Sequence, residues 1–378
     1  MNPLRRVEEL GQSIWLDSIS RRILESGELE RLVRDDGLSG VTSNPSMFEK
    51  AIAEDPAYAA AIGKRLAEEP GASAEDLYER LAIRDIQDAA GVLQPVFERT
   101  RGRDGYVSLE VTLARGDDRA AILEEARHLA RAVARPNVLI KVPGTAEGVA
   151  AFETLTGEGL NVNVTLLFSV ETYRRVARAY VSGLEALGKR GGDLSRAASV
   201  ASFFVSRIDT AVDEELQKRV ASSSSASERA LRRSLQGRIA IANAKLAYAH
   251  YREIFSGPRW EALAAKGART QRVLWASTGT KNPAYSDVLY VETLIGPDTV
   301  NTAPRATIDA YRDHGRPSAT LERDLDAARD ELGALEEVGI DLEPITDKLL
   351  EKGLGLFSDA YKKLLSAIED RRRSAGRG

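Results

Sequence analysis

The chain has 378 residues, of which 43% are hydrophobic and 29% charged, so it is long enough for two or three domains or for one large α/β barrel. Its 53 Lys and Arg and 57 Asp and Glu give a net charge of −4, whereas nucleic-acid-binding chains normally show a basic excess. It contains no cysteine and three widely spaced histidines, which excludes disulfides, thiol nucleophiles and iron–sulfur clusters and argues against a multi-histidine metal site.

Neither a secretory signal nor a membrane span is expected from the sequence. The residues that follow Met1 are charged and lack the apolar core of a signal peptide. No stretch approaches about 18 uncharged apolar residues. Together with the missing cysteines, this pattern predicts a soluble protein of the cytoplasm.

Short apolar segments that end at Gly, Pro, Asn or Asp predict the strands. Several are apolar at consecutive positions, as expected for a parallel sheet that is buried on both faces. In chain order, the predicted strands are residues 13–16, 40–42, 106–111, 137–142, 160–167, 199–205, 272–276 and 299–302.

Amphipathic helices are predicted between these strands. Residues 75–94 and 119–134, for example, place apolar side chains at helical spacing. The alternation of strands and helices predicts a single (β/α)8 TIM barrel, of the α/β class, over residues 1–378. An open doubly wound sheet is the alternative, although no G-x-G-x-x-G sequence follows an early strand.

Two segments are longer than a barrel requires. Residues 209–257 are predicted to hold two or three helices, one of which begins at the capping-box sequence of residues 225–228. Apolar stripes at 321–335 and 345–368 predict C-terminal helices that pack on the barrel, with a partner surface as the alternative. The basic residues 371–378 are expected to form a disordered tail.

Polar side chains end or interrupt most of the predicted strands. In a (β/α)8 barrel the active site lies at the carboxyl ends of the strands, so these side chains are candidate site residues. They are Asp17, Asn44, Glu110, Lys141, Asn163, Thr165, Ser202, Arg207, Ser277 and Lys281.

Lys141 is the clearest candidate, because it lies between Ile140 and Val142 in an otherwise apolar strand. Burying an unpaired cation is costly, and loss of the proton is the usual outcome. A neutral amine is a nucleophile for carbonyl groups and can form a Schiff base. The alternative is a structural lysine, either extended towards solvent or paired with a carboxylate.

Two carboxylates accompany this lysine. Glu110 interrupts the third predicted strand and Asp17 follows the first. An amine and two carboxylates at one barrel mouth can supply a nucleophile and two acid–base groups. Either carboxylate alone is equally compatible with a helix cap or an ion pair.

The remaining candidates have two interpretations each. Arg207 and Lys281 are predicted to form an anion pocket near the last strands, where barrels often bind phosphate, or to be solvated surface charges. Asn44 precedes a proline, so it and Asn163 are compatible with turn-forming roles as well as with binding.

Several short sequences resemble those of transaldolases, in the same order along the chain. Each is weak alone, whereas the ordered set is highly specific, and it extends from about residue 15 to 282. The matching sequences are Leu16-Asp17, Thr42-Ser43-Asn44-Pro45-Ser46, Leu139-Ile140-Lys141-Val142-Pro143 with Gly148 downstream, Asn161-Val162-Asn163-Val164-Thr165-Leu166 and Ser202-Phe203-Phe204-Val205-Ser206-Arg207.

The resemblance implies a cofactor-free and metal-free class I barrel enzyme of the pentose phosphate pathway. Such enzymes transfer a dihydroxyacetone unit from sedoheptulose 7-phosphate to glyceraldehyde 3-phosphate, giving erythrose 4-phosphate and fructose 6-phosphate. The expected partners are sugar phosphates, with no nucleic acid or membrane. A monomer or a homodimer is expected.

Residue roles are also implied by the resemblance. Lys141 would form the Schiff base, Glu110 would relay protons through a water held with Thr165, and Asp17 would exchange a proton with the C4 hydroxyl. Asn44, Asn163 and Ser202 would hold the hydroxyls of the three-carbon unit, Thr42 would belong to the same binding set, and Phe204 would shape the pocket. Arg207 and Ser277 would bind phosphate.

One departure from the family pattern concerns phosphate binding. The segment 276–282 is two residues longer than in better-known transaldolases and has Lys281 in place of an arginine. Lysine is cationic but lacks the bidentate guanidinium fork, so Arg207 is the stronger phosphate candidate.

Two other functions are compatible with the same residues. One is a Schiff-base aldolase that releases dihydroxyacetone freely, although the acidic Glu110 favours a transaldolase over the related fructose 6-phosphate aldolases. The other is a catalytically inactive barrel that acts as a sugar-phosphate sensor or a scaffold.

Overall fold

The strands form a closed parallel barrel. The computed structural model describes residues 2–112 and 117–375, and within them each strand pairs with the next and β1 pairs with β8. The strands are β1 (Gln12–Asp17), β2 (Gly40–Thr42), β3 (Tyr106–Glu110), β4 (Val138–Pro143), β5 (Val162–Leu167), β6 (Ser199–Phe204), β7 (Arg272–Ala276) and β8 (Thr299–Ala303). The predicted (β/α)8 barrel is confirmed, and the open sheet is wrong because β1 and β8 close the ring.

Helices connect and surround these strands. No helix in the described parts of the chain is long and apolar enough to cross a membrane. The helices are α1 (Pro3–Glu9), α2 (Arg21–Glu25), α3 (Glu28–Arg31), α4 (Pro45–Glu54), α5 (Pro56–Glu68), α6 (Ala74–Arg99), α7 (Arg119–Val133), α8 (Ala146–Gly157), α9 (Val170–Lys189), α10 (Ser206–Ser222), α11 (Ala226–Ser234), α12 (Ile239–Ile254), α13 (Pro258–Ala264), α14 (Leu289–Glu292), α15 (Arg305–His314), α16 (Leu325–Glu337) and α17 (Leu342–Ala375), with a π-helical turn at Leu32–Asp36 and a 3-10 turn at Leu194–Arg196.

The strands are buried on both faces, as their continuous apolar sequences predict. All residues of β3 to β8 are buried, because side chains alternate between the barrel interior and the surrounding helices. The pairing of β2 with β1 requires a glycine at position 40, where the backbone passes close to the ring of Trp15. A Cβ on Gly40 would lie 2.3 Å from that ring. Any larger residue at position 40 would therefore separate the first two strands.

Helix α6 is longer than its sequence pattern predicts. The apolar repeat suggests residues 75–94, yet α6 continues through Pro95 to Arg99. A proline inside a helix removes one hydrogen bond and crowds the carbonyl four residues earlier. Leu93 and Val96, on either side of the proline, are both buried, so tertiary packing outweighs this local cost.

The two long segments are helical, as predicted. The segment 209–257 contains α10, α11 and α12, and the side chain of Ser225 caps α11 by accepting a hydrogen bond from the Glu228 amide at 3.3 Å. At the C-terminus, α16 packs on α12, while α17 packs on α4, α5, α6, α10 and β5. The predicted packing on the barrel is confirmed. Of the basic tail, residues 371–375 lie in α17 and 376–378 lie outside the described residues.

Candidate active site

The carboxyl ends of the strands gather the candidate residues at one mouth of the barrel. The strand register places Glu110 beside Lys141, and Lys141 beside Asn163, on three consecutive strands. Asp17 at the end of β1 pairs in register with Thr42 at the end of β2. Positions far apart in the sequence therefore become neighbours because parallel strands end at the same edge.

Lys141 is held inside the barrel and is paired. Its side chain is 5% exposed, and its Nζ donates hydrogen bonds at 3.2 Å to both Oε2 of Glu110 and the carbonyl oxygen of Ser43. The structure thus combines the two interpretations of the sequence: the amine lies within the barrel, and it has a carboxylate partner.

The two carboxyl oxygens of Glu110 differ in their hydrogen bonding within the described residues. Burial raises the pKa of Glu110 to about 7, although the neighbouring Lys141 opposes this shift. Oε1 of Glu110 and Oγ1 of Thr165 are both buried and have no hydrogen-bonding partner among the described residues. Buried polar atoms are nearly always paired, so these two atoms are available to a bound water or a substrate hydroxyl.

Asp17 is the second carboxylate of the mouth. Its Oδ1 accepts a hydrogen bond of 2.6 Å from Thr42, whose hydroxyl also contacts that of Thr302 at 2.7 Å. Burial raises the pKa of Asp17, and the Thr42 hydrogen bond and the charges of Lys141, Lys281 and Arg207 oppose that shift. Asp17 therefore lies within electrostatic reach of all three cations.

Asn163 links three strands through its amide group. It donates to Oγ of Ser108 on β3 at 3.0 Å and accepts from Oγ of Ser202 on β6 at 2.7 Å. All three side chains are buried. This chain of hydrogen bonds fixes the orientation of the Asn163 amide next to Lys141.

Asn44 does form a turn-like contact, as one interpretation of the sequence suggests. It is the N-cap of α4, and its Oδ1 accepts a hydrogen bond of 3.1 Å from the Met47 amide. The side chain is only partly buried. Capping occupies the carbonyl oxygen, so the amide nitrogen is the atom that can bind a substrate hydroxyl.

The candidate phosphate residues lie around α10 and the segment after β7. Arg207 is in the first turn of α10, and its guanidinium carbon lies 5.3 Å from the ring centre of Phe204. Burial lowers the pKa of Arg207, and the charge of Asp17 opposes that shift. Oγ of Ser277 lies 2.9 Å from Oγ of Ser206, whereas Lys281 is exposed.

Two buried aspartates anchor the segment that carries Lys281 to α10. Asp213 accepts a hydrogen bond of 2.7 Å from the Tyr285 hydroxyl, and Asp209 accepts one of 2.8 Å from the Tyr290 hydroxyl. Gly237 faces the Tyr285 ring, where a Cβ would lie 2.8 Å from Cζ. The longer segment after β7 is thus tied to the helix that presents Arg207.

Some residues of this mouth were not identified from the sequence. Ser108 and Thr302 could have been found, since Ser108 shares a strand face with Glu110 and Thr302 lies near the end of the eighth strand. No comparable sequence feature points to Phe357 on α17, although its ring centre lies 5.8 Å from Nζ of Lys141. Its proximity depends on tertiary packing alone.

Cavity size does not identify this mouth. A cavity of about 730 Å³ opens at the opposite end of the barrel, where its lining includes Pro136, Val138 and Asn161. These residues lie at the amino ends of β4 and β5, away from the side chains described above. Within the described ranges, no cluster of three or more His, Asp or Glu side chains could hold a metal ion.

Comparison with known proteins shows the family of this chain. The family model described as transaldolase/fructose-6-phosphate aldolase matches residues 14–368. A transaldolase of Thiobacillus denitrificans is 50% identical over 97% of this chain and all of its own length. Transaldolases of Trichodesmium erythraeum and Thermobifida fusca are 44% and 46% identical, over 98% and 97% of this chain and 97% of their own lengths in each case. The chain therefore belongs to the transaldolase/fructose-6-phosphate aldolase family and is an enzyme of the transaldolase kind.

Proposed function

We propose that this enzyme transfers a dihydroxyacetone unit between sugar phosphates through a Schiff base on Lys141. The observation that carries the proposal is the buried pair of Lys141 and Glu110. Oε1 of Glu110 and the hydroxyl of Thr165, on the same barrel, are both buried and have no hydrogen-bonding partner among the described residues. An amine next to a carboxyl group with a pKa of about 7 is suited to reversible proton transfer near neutral pH.

Schiff-base formation uses this pair first. The amine of Lys141 attacks the C2 carbonyl of the ketose, and the carbonyl oxygen takes a proton to give a carbinolamine. That hydroxyl then takes a second proton and leaves as water, while a carbon–nitrogen double bond forms. Glu110 accepts and returns these protons through a water that bonds its Oε1 and the Thr165 hydroxyl.

Cleavage of the carbon–carbon bond uses Asp17. Its carboxylate accepts the proton of the C4 hydroxyl, the bond between C3 and C4 breaks, and its electron pair moves into the iminium to give an enamine. The aldehyde product departs, and an acceptor aldehyde then reverses these steps. Asn163, Ser202 and the amide of Asn44 hold the hydroxyls of the retained three-carbon unit.

Phosphate binding is assigned to the cations around α10. Arg207 supplies a planar guanidinium that can bond two phosphate oxygens at once, and Ser277 adds a hydroxyl from the segment after β7. Lys281 is exposed, so we assign it a supporting electrostatic role. Phe204 packs beneath the guanidinium and limits its positions.

The proposed donors and acceptors are those expected from the resemblance. Sedoheptulose 7-phosphate and glyceraldehyde 3-phosphate would give erythrose 4-phosphate and fructose 6-phosphate. The proposal includes a role in the non-oxidative pentose phosphate pathway and a cytoplasmic location.

Covalent trapping tests the proposal. The protein is incubated with fructose 6-phosphate and borohydride, and its peptides are mapped by mass spectrometry. We expect a reduced three-carbon adduct on the Lys141 peptide, no adduct in Lys141→Met, and an unchanged adduct in Lys245→Met, a lysine that bonds a backbone carbonyl elsewhere. An adduct on another lysine, or none in the wild type, would contradict the mechanism.

A further inference from the structure

A side chain of the C-terminal helix lies close to Lys141. Phe357 on α17 is 5% exposed, and its ring centre lies 5.8 Å from Nζ of Lys141. The same Nζ donates hydrogen bonds to the carbonyl oxygen of Ser43 and to Oε2 of Glu110. Phe357 thus adds an apolar surface next to the polar groups that bond Lys141.

The position of α17 depends on a glycine one helical turn before Phe357. A Cβ on Gly353 would lie 2.9 Å from Cδ2 of Leu166, at the end of β5. Leu166 itself has a positive φ of 61°, in a strand with a register irregularity between Val164 and Leu167. The small residue lets the helix lie directly on the barrel mouth.

Further aromatic rings hold the helix at this position. Tyr361, one turn after Phe357, packs edge-to-face on Tyr78 at 5.6 Å, and Tyr78 packs on Phe48 at 5.8 Å. Burial raises the pKa of the Tyr78 hydroxyl, and the charge of Glu110 adds to that shift, so Tyr78 lies within electrostatic reach of Glu110. Since residues four apart share one helix face, Gly353, Phe357 and Tyr361 form a single stripe that faces the site.

We propose that Phe357 is a specificity-determining residue that keeps any water beyond the one held by Glu110 and Thr165 away from the Lys141 adduct, so that the three-carbon unit is transferred rather than hydrolysed. This inference rests on the proposed function. Glu110 Oε1 and Thr165 Oγ1, which have no partner among the described residues, provide places for one ordered water, whereas the apolar ring of Phe357 offers no hydrogen bond to a further water. Excluding water from a reactive intermediate is a recognised way to suppress hydrolysis.

The hydrolysis that Phe357 would suppress is a simple side reaction. The enamine takes a proton on carbon and becomes the iminium. Water then adds to C2, the carbon–nitrogen bond breaks, and free dihydroxyacetone leaves while Lys141 departs as the ammonium. Transfer instead requires that the enamine survive until an acceptor aldehyde binds.

The test compares free dihydroxyacetone release with transfer from fructose 6-phosphate to erythrose 4-phosphate. We expect Phe357→Ala to raise the ratio of release to transfer by about tenfold. Phe357→Leu, which retains an apolar cover, should stay near the wild-type ratio. Leu356→Ala is the matched control, because Leu356 is next to Phe357 in the chain and is 47% exposed.

Each outcome decides the inference separately from the proposed function. A wild-type protein without a Lys141 adduct contradicts the proposed function. If the wild type forms the adduct but folded Phe357→Ala has an unchanged release-to-transfer ratio, only the role of Phe357 is contradicted. The same holds if Leu356→Ala raises that ratio as much as Phe357→Ala does. Circular dichroism checks folding, and Phe357→Val gives the same comparison if Phe357→Ala does not fold.

Discussion

Glu110 and Asp209 are two buried carboxyl groups with similar ionisation and different surroundings. Burial raises the pKa of each to about 7. Both oxygens of Asp209 are bonded, since one accepts from the Ala240 amide and the other from the Tyr290 hydroxyl, each at 2.8 Å. Glu110 bonds Lys141 through one oxygen and has no partner for the other among the described residues.

This difference shows why a raised pKa alone does not identify a catalytic group. Burial penalises the charged carboxylate in either place, and structural networks also perturb pKa values. Glu110 differs in that one of its oxygens has no partner in the described part of the chain, while the other bonds an amine at the carboxyl ends of the strands. Asp209 instead joins α10 to α12 and α14, so we expect it to support the fold and the phosphate-binding segment.

The largest expected effect is loss of turnover on changing Glu110. Glu110→Gln keeps the shape of the side chain but cannot accept a proton, so kcat for transfer should fall by about 10²–10⁴-fold. Steady-state kinetics measure this, with Asp209→Asn as the matched control that should keep kcat within a few-fold. Equal losses in the two variants would remove the distinction between the two carboxyl groups.

The second expected effect is a loss of stability on changing Asp209. Asp209→Ala leaves the Ala240 amide and the Tyr290 hydroxyl without their partner, so it should lower the free energy of unfolding by about 2–4 kcal/mol. Asp209→Asn retains a carbonyl oxygen, so it should lower the free energy of unfolding much less. Urea titrations followed by circular dichroism measure both, and an Asp209→Ala variant as stable as the wild type would be inconsistent with the anchoring role.

The third effect is the pH dependence of activity. The ionised carboxylate of Glu110 is the form that accepts a proton, so kcat/KM should rise with pH through about 7 and fall on acidification. This fall of kcat/KM on acidification should persist in Asp209→Asn and should disappear from the residual activity of Glu110→Gln. A pH–rate profile for each protein checks this, and an unchanged fall in Glu110→Gln would assign it to another group.

The smallest expected effect is the change in stability on removing the Tyr290 hydroxyl. Its hydrogen bond lowers the pKa of Asp209, so it favours the ionised form. Tyr290→Phe should therefore raise that pKa further and lower the free energy of unfolding by about 0.5–1.5 kcal/mol at pH 8.

The sign of the pH dependence follows from the raised pKa of Asp209 in the folded state. The part of the stability that comes from protonation of Asp209 is present below its ordinary pKa of 3.8 and is lost as the pH rises through about 7. Tyr290→Phe enlarges that loss, so its difference from the wild type should be smaller at pH 5 than at pH 8. Thermal or urea unfolding at the two pH values measures it, and a larger difference at pH 5 would contradict this assignment.

The sequence predicted the barrel well because its signals are local. Short apolar strands alternating with amphipathic helices require covered parallel strands, and the position of Lys141 within one strand and of Glu110 in another follows from the same pattern. Pro95 is an instructive exception, since a local helix-breaking signal was outweighed by burial of the residues on both sides.

The arrangement of the site depended on the tertiary structure. The sequence by itself determined which strand ends carry the amine, the carboxylates and the hydroxyls, because strand periodicity and barrel topology bring those ends to one mouth. Only the folded chain decided that Lys141 pairs with Glu110, that Asp209 is fully bonded, and that Phe357 reaches the amine from α17. Such contacts join residues separated by tens to hundreds of positions, and their distances depend on the packing of whole helices against the barrel.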